Sequence, residues 1–110
     1  ELKNLSLTIP WQSSNVYSSY HLYPILVKNG PDNKTQKKIY DELRNNNIAS
    51  NLHYVPVHRQ PYYENLGFKK NDFPQAESFH RKVLSIPMYA ILKDDQQKYV
   101  VETIAKVISE

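Results

Sequence analysis

Apolar residues along this chain recur with two different periods, and the changes of period mark out its elements. Leu5, Leu7 and Ile9 alternate with polar neighbours, which predicts a short edge strand before Pro10 and Trp11 break it. Gln12 to Ser19 is polar and reads as loop, so residues 1–19 form an irregular lead-in. Tyr20 to Val27 (YHLYPILV) is β-branched and aromatic and is bounded by the turn residues Lys28-Asn29-Gly30-Pro31, which predicts a strand. Pro24 inside it requires an edge position or a bulge. The period then lengthens. Ile39 and Leu43 fall at i and i+4 with Tyr40 beside them, which predicts a helix over Asp32 to Asn46. Asp32 or Asn33 would cap it, Lys34, Lys37, Lys38 and Arg44 would cover its outer face, and Asn45-Asn46-Asn47 would close it.

Period two returns at Asn51 to Val57, a predicted strand with Leu52, Tyr54 and Pro56 on one face and Asn51, His53, Val55 and Val57 on the other. Pro61 to Lys70 reads as loop, with Gly67 at a turn. Asp72-Phe73-Pro74 opens a helix to Lys82 whose buried side is Ala76, Phe79 and Val83. Val83 to Met88 is a third strand, with Leu84, Ile86 and Met88 on one face. Leu92 to Ser109 closes the chain as a helix with capping-box spacing at Asp94 and Gln97. Its core stripe is Val101, Ile104, Ala105 and Ile108, broadened by Val100 and Val107. The alternation of strands and helices predicts an α+β fold. It is a two-layer sandwich in which helices pack on one face of a small, mainly antiparallel sheet, as one domain over residues 1–110.

Composition narrows the classes of function. At 110 residues the chain suits one modest core. The net charge of +3 is small and acidic residues are scattered among the Lys and Arg, so no basic stripe points to nucleic acid. The absence of cysteine excludes a disulfide framework and a thiolate metal site and fits a cytoplasmic setting. No apolar run approaches the ~20 residues of a membrane helix. The chain starts at Glu1 rather than Met, which is read as a sign that it is cut from a longer protein.

Candidate chemistry concentrates in Asn51 to Tyr63, NLHYVPVHRQPYY, where two His, three Tyr and two Pro share thirteen residues. Polar aromatic groups at a strand end running into a proline-pinned loop are a common setting for ligand contact. His53 and His58 are five apart, an odd separation that puts them on opposite faces of a straight strand and argues against a shared metal ion. Ser85 and His80 lack a nucleophile elbow, and the two Gly are too few for a phosphate-binding glycine loop. Tyr54, Tyr62 and Tyr63 could stack on RNA bases, but no ribonucleoprotein motif accompanies them. The residues alone thus support a small domain with a His/Tyr binding loop, and they leave the reaction open.

The ordered set HYVPVH, FPQAE and LSIPMY, with YHLYPILV and IYDEL before it, resembles the C-terminal part of the DegT/DnrJ/EryC1/StrS sugar aminotransferases. The nearest branch aminates a UDP-linked 4-keto-6-deoxy-hexosamine, as in pseudaminic acid biosynthesis. The likeness runs from about Tyr17 to the end of the chain. It implies the small domain of a two-domain, type I fold enzyme, homodimeric at full length, whose large domain carries pyridoxal phosphate and the lysine that binds it. This stretch contains neither the lysine motif nor room for that domain, so it is expected to be inactive and cofactor-free alone. The implied reaction is ping-pong transamination from an amino acid, expected to be glutamate, to the 4-keto carbon of a nucleotide sugar.

The implied substrate-binding residues are Asn51, Leu52, His53 and Tyr54, with His58 facing the cleft between domains and Arg59 offering a two-pronged donor to phosphate. FPQAESF and LSIPMY read as structural. The resemblance also admits a non-catalytic sugar-nucleotide binding or regulatory module of the same fold. No nucleic-acid or membrane partner is expected.

Overall fold

The computed structural model describes residues 2–28 and 35–109. The predicted turn at Asn29-Gly30-Pro31 and the predicted caps Asp32 and Asn33 lie outside the described residues. After a short 3-10 turn at Leu2–Asn4, the elements are β1 (Leu7–Thr8), β2 (Tyr23–Val27), α1 (Thr35–Asn45), β3 (Asn51–Leu52), α2 (Pro61–Asn65), α3 (Pro74–His80), β4 (Val83–Ile86) and α4 (Asp94–Ser109), with a second 3-10 turn at Val57–Arg59. The strands form one antiparallel sheet in the order β1-β2-β4-β3. This is the α+β architecture that the sequence predicts.

The core is where α1 and α4 lie on the sheet. Ile39 and Leu43 of α1, Ile104 of α4, Ile25 of β2 and Leu84 of β4 are all wholly buried, with Val27, Ile48 and Val100 beside them. Each is apolar on the inward period of its own element, so the two periods in the sequence meet at one seam. On α4 the stripe centres on Val100, Thr103 and Ile104, one position round from the predicted Val101 and Ala105. Thr103 fits there because its hydroxyl donates to the Tyr99 carbonyl at 2.8 Å.

Several ends differ from expectation for local reasons. The β2 ladder starts at Tyr23 rather than Tyr20, because Tyr20 takes a φ of 45° and leaves the extended region. Pro24 pairs with Ser85 on one side, and the β1 pairing stops at Leu26, so the proline faces no second ladder. β4 ends before Pro87, which has no N–H to donate. β3 stops at Leu52, well short of the predicted Val57.

Helix ends are equally specific. Asn47, with φ 58°, closes α1 as predicted. Ile48 N–H bonds the Leu43 carbonyl at 2.8 Å and Asn47 N–H bonds that of Arg44 at 3.0 Å, a Schellman closure that buries Ile48 over Leu43. At α4 the reach-back comes from Gln96, whose Oε1 accepts from Lys93 N–H at 3.0 Å, rather than from the predicted Asp94/Gln97 pair. Pro61–Lys70, predicted as loop, begins with the single-turn α2, which Pro61 starts at a first-turn position. Gly67 follows at φ 103°, a conformation that suits glycine.

α3 reverses the predicted amphipathicity. Ala76 is exposed and Phe79 is 49% exposed, whereas Glu77 is 5% exposed. Asp72 does not cap it. Its carboxylate accepts from Lys69 N–H at 2.7 Å, and Phe73 stands at the cap position.

Candidate functional site

β3 pairs with β4 so that Asn51 lies opposite Ser85 and Leu52 opposite Leu84. Leu84 and Ile86 face the helices, so alternation turns Ser85, Asn51 and His53 to the other face of the sheet. His53 sits there half-buried, its Nε2 2.7 Å from the Ser85 hydroxyl, and its backbone carbonyl accepts from His80 Nδ1 at 3.1 Å. Ser85 is therefore held in the sheet, as its mid-strand place predicts, and its role is to anchor an imidazole.

Tyr54 points away from the domain and is 91% exposed, and Val55 and Val57 beyond it are 48% and 62% exposed. Pro56 then starts the 3-10 turn, closed by Arg59 N–H to the Pro56 carbonyl at 2.8 Å and Gln60 N–H to the Val57 carbonyl at 3.0 Å. This turn decides the fate of the two residues after it. His58 is turned inward, 7% exposed, and donates Nε2–H to Glu77 Oε1 at 2.9 Å. It was expected to face a cleft between domains; the turn instead directs it beneath the ring of Phe73, with ring centroids 4.9 Å apart. Arg59 stays near the surface with its Nε donating to Glu64 at 2.7 Å.

Glu77 also accepts Asn71 N–H at 2.6 Å, and Arg81 Nη1 lies 3.9 Å from its other oxygen. The His58 hydrogen bond first, and the Asn71 N–H second, hold its carboxyl below the usual carboxylate range. An aromatic series continues outward from Phe73 to Phe68, Tyr63 and Tyr62, with successive centroids 6.1, 6.3 and 5.3 Å apart.

Of the six predicted residues, Asn51, Leu52 and Tyr54 are therefore exposed, His53 and Arg59 are half-buried and only His58 is shut away from solvent. Asn51 and Ser85 also line a shallow cleft of about 240 Å³ with His21, Ser50 and Pro87. A roomier cleft of about 460 Å³ lies between Ile48, Pro87 and the start of α4, and none of the six lines it, so cavity size alone does not pick out the edge. Glu77, His80 and Ser85 are the hydrogen-bond partners of this segment that the sequence reading did not assign. The signal was present only as buried-type spacing broken by a polar residue in FPQAESF.

Among the described residues no three His, Asp or Glu come together to hold a metal. Pyridoxal phosphate needs an enclosed amine to bond its aldehyde and donors around its phosphate. Every described lysine is exposed except Lys82, which is half-buried, so the described residues do not form that site. No described helix is long and apolar enough to cross a membrane.

Residues 1–105 match the DegT/DnrJ/EryC1/StrS aminotransferase family. A dTDP-4-amino-4,6-dideoxy-D-glucose transaminase of Shigella dysenteriae is 30% identical over 97% of this chain and 28% of its own length. The putative sugar aminotransferase Spr1654 of Streptococcus pneumoniae, in its PLP form, superposes with a TM-score of 0.87 at 29% identity, over 98% of this chain and 28% of that one. PseC of Helicobacter pylori, an aminotransferase involved in the biosynthesis of pseudoaminic acid, superposes with a TM-score of 0.70 at 30% identity, over 84% and 24%. The chain spans less than a third of the length of the curated relatives it matches.

Proposed function

Because this chain belongs to the DegT/DnrJ/EryC1/StrS aminotransferase family, we propose that it is the C-terminal, substrate-closing part of a pyridoxal-phosphate sugar aminotransferase. Its reaction moves an amino group from glutamate to the 4-keto carbon of a UDP-linked 6-deoxy-hexosamine. The observation that carries this reading is the segment Asn51–Tyr54, which offers an exposed amide and a half-buried imidazole on one face and an exposed phenol on the other. Those groups suit a ligand with several hydroxyls. Arg59, six residues along from His53, supplies the cation for a diphosphate, with Glu64 fixing the direction of its guanidinium.

The names of two relatives support an amino sugar as the product, and one of them supports the 4-position. The Shigella protein is named for a 4-amino-4,6-dideoxy product and PseC for pseudoaminic acid biosynthesis. The cofactor supplies the electron sink and is held by the large domain of the same protein. This chain orients the sugar and covers it. Val55, Val57 and Tyr54, exposed beside the candidate residues, suit the closed face of such a two-domain, homodimeric enzyme.

The test uses the full-length protein with pyridoxal phosphate, glutamate and a UDP-4-keto-6-deoxy-hexosamine, with mass spectrometry of the sugar product. A 4-amino sugar formed with loss of glutamate is the expected result. No amination of any nucleotide 4-ketosugar would overturn the reading.

A further inference from the structure

We propose that α3 is a two-point clamp, in which Glu77 and His80 position the ligand-facing segment 53–58 from behind. The two residues are three apart, so they share one face of the helix. Glu77 takes the Nε2–H of His58, and His80 gives its Nδ1–H to the His53 carbonyl. One grip is thus on each end of a segment that makes no ladder bonds after Leu52. Between the grips the chain carries Tyr54 outward, and Arg59 follows His58 within the 3-10 turn. The clamp explains why α3 buries a carboxylate and exposes Phe79. The helix meets the His58 imidazole and the His53 carbonyl, so its inner face carries polar groups that satisfy them.

The partners also settle two tautomers. A carbonyl only accepts, so His80 carries its proton on Nδ1. Glu77 is ionised, so His58 carries one on Nε2. Neither residue touches a ligand; both act through the segment they hold. The role assigned to that segment rests on the proposed function, whereas the clamp itself does not.

The experiment is amide hydrogen exchange and imidazole nitrogen NMR on the full chain, with paired variants. Glu77→Ala and His80→Ala remove one grip each. Glu77→Gln keeps an oxygen at the same reach, and His80→Asn places an amide N–H where Nδ1–H stood. The turn amides of Arg59 and Gln60 report the His58 end, and the amides of Ile25 and Leu84 report the central ladder. Glu77→Ala should speed exchange at Arg59 and Gln60 about tenfold, the factor expected for one lost charge-assisted hydrogen bond, with Ile25 and Leu84 unchanged and Glu77→Gln restoring most of the protection. Wild-type His80 should show a protonated Nδ1, and His80→Ala should shift the Tyr54 and Val55 resonances while His80→Asn restores them.

Unchanged exchange in Glu77→Ala, unchanged resonances in His80→Ala or a protonated Nε2 on His80 would overturn the clamp. So would acceleration that spreads equally to Ile25 and Leu84. In the full-length enzyme, Glu77→Gln should keep the wild-type KM for the nucleotide sugar and Glu77→Ala should raise it. A clamp that passes the exchange test while KM does not move would sink the site assignment and leave the clamp standing.

Discussion

Glu77 and His58, nineteen residues apart, form a hydrogen-bonded pair at 2.9 Å in which both partners are shut away from solvent. Neither residue belongs to an apolar stripe, and neither would be buried without the other, because a lone charge in that place loses its hydration without compensation.

That pair predicts acid sensitivity. The folded Glu77 carboxyl titrates below its ordinary 4.5, chiefly through the His58 hydrogen bond and then the Asn71 N–H, with the charges of His58 and Arg59 adding to the effect. The unfolded chain therefore binds more protons across that window than the folded one. The contribution is complete above the ordinary value and drains away as pH falls through it toward the lowered folded value. Melting temperature measured from about pH 6 down to about pH 3 should fall more steeply for the wild type than for Glu77→Gln, which has no carboxyl to protonate. Parallel curves would contradict this.

The core seam predicts the largest stability losses. Ile25→Ala and Ile104→Ala each empty a fully buried site and should cost about 2–5 kcal/mol. Urea unfolding should show the midpoint falling with little change in slope.

Asn47 is a backbone test. Its φ of 58° is tolerated by Asn and free to Gly. Asn47→Gly should leave stability equal or slightly higher, whereas Asn47→Val should cost about 1–2 kcal/mol by forcing a branched side chain into the left-handed region. Thermal melts of the two variants decide it.

Tyr54 is the functional counterpart. It is so exposed that Tyr54→Ala should change folding stability by less than about 0.5 kcal/mol. In the full-length enzyme the same change should raise KM for the nucleotide sugar about tenfold, the loss of one well-placed hydrogen bond, with a smaller effect on kcat. Steady-state kinetics at varied sugar concentration separate the two.

Much of the fold was legible because it depends on local period. Ile39 with Leu43, Ile25 with Val27, and Leu84 with Ile86 all announce their buried faces, and the structure places them at one seam. The edge Asn51–Tyr54 was legible for the same reason, since alternation put Asn51 and His53 on one face and Tyr54 on the other. What failed was everything set by long-range polar pairing. Ala76 and Phe79 looked inward by hydrophobicity, yet α3 turns Glu77 inward because the surface it meets is His58 and the His53 carbonyl. Likewise Pro61 suggested continued loop, while its position at the first turn let a short helix form.

The sequence by itself determined the main strands and helices apart from α2 and the short extent of β3, the antiparallel α+β class and the resemblance to sugar aminotransferases. Those follow from side-chain period and from motifs read in order along the chain. Tertiary structure decided that His58 is a tether and Tyr54 a surface group, although both lie in one motif. A hydrogen bond between residues nineteen or thirty-two positions apart leaves no trace in local spacing, and only the folded chain brings Glu77 and Ser85 within reach of their imidazoles.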